Sequence, residues 1–426
     1  MQIYKHPKRK DWLEIVQRPA FDSSALEKKV KKILKNVKDL GDKAVIKYTK
    51  KFDGVKISET LVTEEEIKLA STGISDDLKK AIRDAKKNIS MFHAVQVDYP
   101  RLIETMPGVE CWRKSVPIEK VGIYIPGGTA PLFSTILMLG IPAKLAGCKE
   151  IVLCSPPDKD GKLHPAILYT AQLVGATKIF KVGGVQAIAA LAFGTKTIPA
   201  VNKIFGPGNQ YTTCAKQLVQ QNGIAIDMPA GPSEVAMFAD DTADPCFIAA
   251  DLLSQAEHGV DSQVILVVSH ELLVMRVKKE IEIQLKKLSR KEIIKKVLKN
   301  SKIIIVKDEN EAIDLLNEYA PEHLILACQH ADHLSEQVVN AGSVFLGNYS
   351  PESIGDYASG TNHVLPTNGY ARAYSGVSVD SFVKKITYQK LSKQGLRNIG
   401  AIVEIMAEAE GLDAHKNAVT IRLKKS

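Results

Sequence analysis

The stretch VGIYIPGGTAPLFSTILMLGIPAKLAGCKEIVLC, residues 121–154, decides the fold class. It opens on an apolar, β-branched run, Val121–Ile125, and breaks at Pro126-Gly127-Gly128. It resumes as an apolar segment, Leu132–Ala146, long enough for a helix. A second strand-like run, Glu150–Cys154, follows. Strand, glycine turn, helix, strand is the pattern of a crossover that sets two parallel strands side by side. Val121 to Ala143 carries no charge over 23 residues. Pro126, Pro131, Pro142, Gly127, Gly128 and Gly140 interrupt it, so it reads as buried strand, loop and helix and not as a membrane span.

The same alternation continues outward. Strands are expected at Lys178–Val182 and Lys203–Phe205, with crossover helices at His164–Val174 and Val185–Phe193. A second series follows at Val235–Phe238, Val264–Val268, Lys302–Val306, Leu324–Ala327 and Val344–Leu346. The fold class expected is therefore α/β: two tandem doubly wound, Rossmann-like units with mostly parallel sheets. Their boundary falls near Asp227–Gly231. The first hundred or so residues read as helical. Ser24-x-x-Glu27 and Thr63-x-x-Glu66 have capping-box spacing, Leu26, Val30, Ile33, Leu34 and Val37 recur at helical period, and Gly41 suits a helix end. The division is a helical arm over 1–115, packing with the second unit, α/β units over 116–230 and 231–376, and a helical tail over 377–426.

The chain has 426 residues, 45% hydrophobic and 25% charged, as in a soluble globular protein. Lys and Arg exceed Asp and Glu by 57 to 48. The lysines fall on amphipathic stretches, Glu27 to Lys38 and Arg276 to Lys302, without interleaved aromatics. They read as solvated helix faces, so neither a nucleic acid nor a membrane is expected as partner. Six scattered cysteines form no CxxC pair, which argues against a disulfide framework and for reduced thiols in a cytoplasm. The start, MQIYKHPKRK, lacks the apolar core of a signal peptide.

Several segments can do chemistry. Gln255 and His258 close an apparent helix three residues apart, on one face. Asp356 and His363 lie in a glycine-rich, polar segment that reads as a loop. Glu410 and His415 lie in the tail. Nitrogen and oxygen donors without thiolate suit zinc or another borderline divalent ion, although each pair also fits a capped or core pair. His330-x-x-His333 fits a solvated helix start. Glu322-His323 follows Pro321 on a turn before a strand. Either a catalytic pair, one group taking a proton from an alcohol and the other activating water, or an exposed polar turn accounts for it. Glycine turns at Gly127-Gly128, Gly183-Gly184 and Gly206-Pro207-Gly208-Asn209 let backbone amides approach a phosphate at a helix start. None is GxGxxG with an acid about twenty residues on. Tight turns of an ordinary doubly wound fold explain each singly.

Taken together these segments resemble the histidinol dehydrogenase family, over nearly the whole chain. The matching motifs are VGIYIPGGTAPLFSTILMLGIPAKLAGC, VGGVQAIAALAFGT, FGPGNQY, DMPAGPSEV, DLLSQAEHG, APEHL, ESIGDYASGTNHVLPT and EGLDAHKNAV, in the family's order. The resemblance implies two-step, four-electron oxidation of L-histidinol through bound L-histidinaldehyde to L-histidine, with NAD as cosubstrate. It implies one zinc per subunit on Gln255, His258, Asp356 and His415. Glu322 would activate water and His323 shuttle protons. Ser233, His363 and Glu410 would hold substrate together with Gln255, His258, His323, Asp356 and His415. Tyr124, Gln186 and Asn209 would contact NAD on the first unit, and the second would carry the metal and catalytic residues. A homodimer is implied in which the tail reaches the partner's site. The missing ribose-binding acid predicts weak NAD binding, strengthened by substrate. Two rivals remain, a zinc hydrolase using Glu322 as base and a solute-binding module. The first leaves the glycine turns idle, and the second has no need of the Glu-His pair.

Overall fold

The computed structural model describes residues 1–18, 23–127, 131–229 and 231–425, the side chains of residues 23 and 24 excepted. Gly128 and the proposed cap at Ser24 thus lie outside the described residues. Strands are numbered in chain order: β1 Gln2–Lys5, β2 Leu102–Met106, β3 Val109–Pro117, β4 Lys120–Tyr124, β5 Glu150–Ser155, β6 Lys178–Lys181, β7 Lys203–Phe205, β8 Ala225–Ile226, β9 Glu234–Ala239, β10 Gln263–Val268, β11 Lys302–Ile305, β12 His323–Ala327, β13 Ser343–Leu346 and β14 Val383–Leu391.

The uncharged stretch forms what its pattern predicts. β4 leads through helix Phe133–Ala146 into β5, and the two strands pair in parallel, Val121 against Ile151. Five parallel strands follow the order β6-β5-β4-β7-β8. Both faces are covered, so Val121, Ile123, Val152 and Leu153 are fully buried. Gly140 lets two covering helices close up, since a Cβ there would stand 2.4 Å from Val174 Cγ2. The second sheet is also all parallel, in the order β1-β11-β10-β9-β12-β13.

The structure differs from the sequence reading at both ends. Residues 2–5 form an edge strand of the second sheet, beside β11. An edge strand has one neighbour and one wet flank, so Ile3 and Tyr4 among lysines leave little periodic signal. The tail is not wholly helical. β14 pairs antiparallel with β3, and β3 with β2, in a separate three-stranded sheet. Most of β14 is exposed, so its lysines mask the strand-forming Ile386, Thr387 and Tyr388. Helices Lys393–Ala409 and Asp413–Lys425 then pack on each other, the former also against β2 and β14.

The arm divides between the units. Residues 2–16 lie on the second sheet, where Trp12, Ile15 and Val16 join its core. Helix Ser23–Leu40 packs instead on helix Gly184–Phe193 of the first unit, with Val30 and Val37 fully buried. Each such valine contributes roughly 1.5–3 kcal/mol of burial energy, which outweighs the helix's run of exposed lysines. The Thr63–Glu66 capping box is present in both directions. Among the described residues no helix is long and apolar enough to cross a membrane.

Candidate active site

A cleft of about 1040 Å³ separates the two units. The first unit lines it with Pro126 and Gly206 to Asn209, which follow β4 and β7 at the carboxyl edge of the sheet. The second lines it with Ser233, His258, Glu322, His323, Asp356 and His363. These lie at the opposite, amino edge. His323 and Glu234 begin parallel, adjacent strands, and Ser233 and Glu322 immediately precede them. Helix Pro245–Ala256 returns from β9 to that edge and delivers Gln255 in its last turn. His258 stands beyond the helix end, in the following turn, so the shared helical face expected for the pair is not formed. Asp356 is on a short helix, Glu352–Tyr357, where a loop was expected, because Gly355 and Gly360 obscure the helical spacing.

The side chains converge. His323 Nε2 lies 3.7 Å and His258 Nε2 4.0 Å from the Asp356 carboxylate. His323 Nδ1 is 3.3 Å from the Glu234 carbonyl, to which it can only donate, leaving Nε2 as acceptor. Glu322 Oε2 accepts the Glu234 backbone N–H at 2.9 Å. His363 Nδ1 donates to the Asp356 carbonyl at 2.7 Å, so its Nε2 accepts from Thr135 Oγ1 at 3.0 Å. Glu322 and His323 are buried, 5% and 4% exposed, which excludes the exposed-turn reading.

Glu352 was not anticipated. It is fully buried, and one donor atom each from His258, Glu352 and Asp356 lie within 4.8 Å of one another. Its four-residue spacing from Asp356 was the available signal. Buried Gln255 completes the group, its amide nitrogen 2.9 Å from Glu352 Oε1 in the orientation that satisfies both amide ends. Burial raises the Glu322 and Glu352 carboxyls well above the usual range, aided by neighbouring Asp356. Burial lowers His258 and takes His323 down to about 4. Glu352 Oε2 is buried without a hydrogen-bond partner. Imidazole, amide and crowded carboxylates with an unsatisfied oxygen fit a divalent cation, whose charge would restore the ionised forms. The expected role of Glu322 in activating water therefore depends on that charge.

His415 and Glu410 stand apart. Glu410 is exposed in the turn that ends helix Lys393–Ala409 and His415 is exposed on helix Asp413–Lys425, and neither lines the cleft. Within one chain three of the four anticipated metal ligands come together. His330 and His333 are exposed at the start of helix Ala331–Ser335, as a solvated helix start requires.

On the first unit, Tyr124 Oη accepts the Gly184 N–H at 3.1 Å at the start of helix Gly184–Phe193. Burial pushes the Tyr124 hydroxyl up to about 12. Gln186 is fully buried, its Oε1 unpartnered and its Nε2 3.5 Å from Asp53 Oδ2. Asp53, also unanticipated, is raised to about 6 by burial. Asn209 caps helix Gln210–Gln220, accepting the Tyr211 N–H at 3.0 Å and the Thr212 N–H at 3.2 Å. Its loop is fixed from behind. Asp227 accepts the Gly206 N–H at 2.8 Å, Lys216 donates to the Gly206 carbonyl at 2.8 Å, and the two side chains form a buried ion pair. Only glycine fits at Gly206, where a Cβ would stand 2.0 Å from the Tyr124 carbonyl oxygen.

Comparison with known proteins accounts for this arrangement. A family profile described as histidinol dehydrogenase matches residues 16–423. The chain belongs to the histidinol dehydrogenase family. Histidinol dehydrogenase from Bacteroides thetaiotaomicron is 60% identical over 423 residues, 99% of either chain. That from Mannheimia succiniciproducens is 51% identical, again over 99% of either chain. The crystal structure of histidinol dehydrogenase from Elizabethkingia anophelis superposes with a TM-score of 0.98 at 55% identity, covering 100% of this chain and 98% of the other. Membership makes the chain an oxidoreductase of histidine biosynthesis, and the tandem parallel sheets with helical ends are those of histidinol dehydrogenases.

Proposed function

We propose that the chain oxidises L-histidinol with two NAD⁺ and water to L-histidine, through L-histidinaldehyde held in the cleft. The observation that carries this reading is the buried Glu322–His323 pair beside the His258, Glu352, Asp356 cluster, facing the Gly206–Asn209 turn across one cleft. Zinc on Gln255, His258, Asp356 and a second subunit's His415 would fix the substrate's imidazole and amine and lower the charge cost of nearby anions. His323 is neutral at pH 7 with Nε2 as acceptor, so it takes the hydroxyl proton in the first step. Glu322, held by the Glu234 N–H, takes a proton from the water that adds to the aldehyde while protonated His323 gives its proton to the carbonyl oxygen. His323, neutral again, then removes a gem-diol proton as the second hydride leaves, and both groups release their protons to solvent. Ser233, His363 and Glu410 hold the substrate. Tyr124, Gln186 and Asn209 would contact NAD⁺, two molecules of which, bound in turn, each accept one hydride.

A homodimer accompanies this reading. The C-terminal helices leave Ile402, Ile405, Met406 and Leu412 exposed, and the antiparallel sheet leaves Leu102, Ile103 and Tyr388 exposed. Apolar surface of this extent favours cover by a second copy, whose tail would bring Glu410 and His415 to this site. We also propose the functional division at residues 115, 230 and 376, and a reducing, cytoplasmic setting for the six free thiols. The test is anaerobic turnover with product stoichiometry before and after chelation. Two NADH per histidine, lost with the metal and restored by zinc, is expected. Turnover indifferent to chelation, or histidinaldehyde as end product, overturns the reading.

A further inference from the structure

Glu234 touches both members of the Glu322–His323 pair through its main chain. Its N–H donates to Glu322 Oε2 at 2.9 Å, and its carbonyl accepts from His323 Nδ1 at 3.3 Å. One peptide segment thus sets where the carboxylate and the imidazole stand relative to each other. The Glu234 side chain points away and is itself 3% exposed, a charge that needs an anchor.

That anchor is Arg18. Its Nε and Nη2 donate to the two Glu234 oxygens at 2.6 and 2.8 Å, the bidentate geometry that fixes both position and plane. Tyr319 Oη and the Asn368 N–H add bonds at 3.2 and 3.1 Å. The guanidinium also holds the approach to the pair from the other side. It donates to the Tyr319 and Ala320 carbonyls at 2.8 and 3.3 Å and stacks 4.0 Å from the Tyr319 ring. Ala320 has φ +52°, a conformation an alanine adopts only when held, two residues before Glu322. Arg18 therefore clamps the segment that carries the pair and the adjacent strand that hydrogen-bonds to it.

We infer that Arg18, through Glu234 and the Tyr319–Ala320 turn, is a positioning residue for the Glu322–His323 pair. Among the described residues no hydrogen bond or ion pair joins it to either of them, although it lines the same cleft. Its removal leaves the cleft's binding groups in place while loosening the angle between base and water. The inference rests on the proposed roles of Glu322 and His323, and the experiment separates the two.

Arg18→Met alone strands the buried Glu234 carboxylate and risks misfolding, so the double variant R18M/E234Q removes both charges together. The readouts are melting temperature, kcat and KM for histidinol and NAD⁺, and the rate of histidinaldehyde oxidation measured separately. Expected for the folded double variant is a kcat lower by about tenfold to a hundredfold with KM values within about twofold, the size of loss that follows loose alignment of reacting groups. Aldehyde oxidation, which needs both residues of the pair, slows more than alcohol oxidation. Restoring Glu234 with R18K recovers part of kcat. A double variant with wild-type kcat, or one that loses both half-reactions and both KM values in proportion to lost folded protein, overturns the positioning role. A wild-type protein that fails to yield two NADH per histidine overturns the proposed function instead.

Discussion

Two parallel sheets of similar build meet at one cleft, and they turn opposite edges towards it. The first presents the carboxyl ends of its strands, where helices begin, at Gly184 and at Gln210 under the Asn209 cap. The second presents the amino ends of β9 and β12, where helices finish, at Ala256 and at Tyr319. Helix starts carry partial positive charge and free N–H groups, and helix ends carry partial negative charge. One wall is thus suited to a diphosphate. The other is suited to cations, a trend that Glu322, Glu352 and Asp356 amplify. Ligands of doubly wound folds ordinarily sit at the carboxyl edge. The second unit departs from that habit, and the departure would let one cleft accept an anionic cosubstrate beside a cationic substrate and the proposed metal.

Breaking the negative wall has the largest expected effect. His258→Ala and His415→Ala are each expected to abolish turnover, with elemental analysis finding the proposed metal depleted in both. Mixed subunits recover activity if His415 serves the neighbour. Random pairing makes half of the dimers mixed, with one intact site of two, so about a quarter of wild-type activity returns. No recovery in verified mixed dimers removes the shared site and leaves the negative wall closed within one chain.

How much of this was legible depended on what surrounds each residue. β4, β5, β9 and β10 are buried on both faces, so their apolar runs stood out to within a residue or two. β1 and β14 lie on edges or an open face, and their lysines imitate helix or tail. The same holds at the site. The Glu322–His323 pair was visible as a dipeptide, and His258 and Asp356 as donors within motifs. Glu352 was not, because glycine-rich surroundings suggested a loop, and its meaning arises only where the chain folds Gln255 against it. Arg18 and Glu234 are 216 residues apart and share no local pattern. Tyr124 and Gln186 were reachable through the motifs, but Asp53 comes from the arm, whose packing on the first unit no periodicity reveals.

The positive wall is tested more gently. Asn209→Ala removes a helix cap and costs about 1 kcal/mol of stability, read as a lowered denaturant midpoint. If Asn209 also contacts the cosubstrate, KM for NAD⁺ rises severalfold while kcat at saturating NAD⁺ holds. An unchanged KM would restrict Asn209 to capping and move the contact to Tyr124 and Gln186.

The smallest effect concerns the acid beside Gln186 on the first unit. Burial raises Asp53 from 3.8 to about 6, and it closes helix Asp42–Phe52 at its partially negative end, where a carboxylate is unfavourable. The folded chain therefore holds the Asp53 proton more tightly than the unfolded chain. As pH rises from about 4 to about 6 the unfolded state ionises first, and stability falls across that window. The penalty is complete above it. Asp53→Asn removes the charge without changing the shape, so the variant should melt higher than wild type at pH 7.5, and that gain should shrink towards nothing at pH 4. A gain equal at both pH values would trace the effect to the amide's hydrogen bonding with Gln186. A loss at pH 7.5 would mean that a cation balances the Asp53 carboxylate.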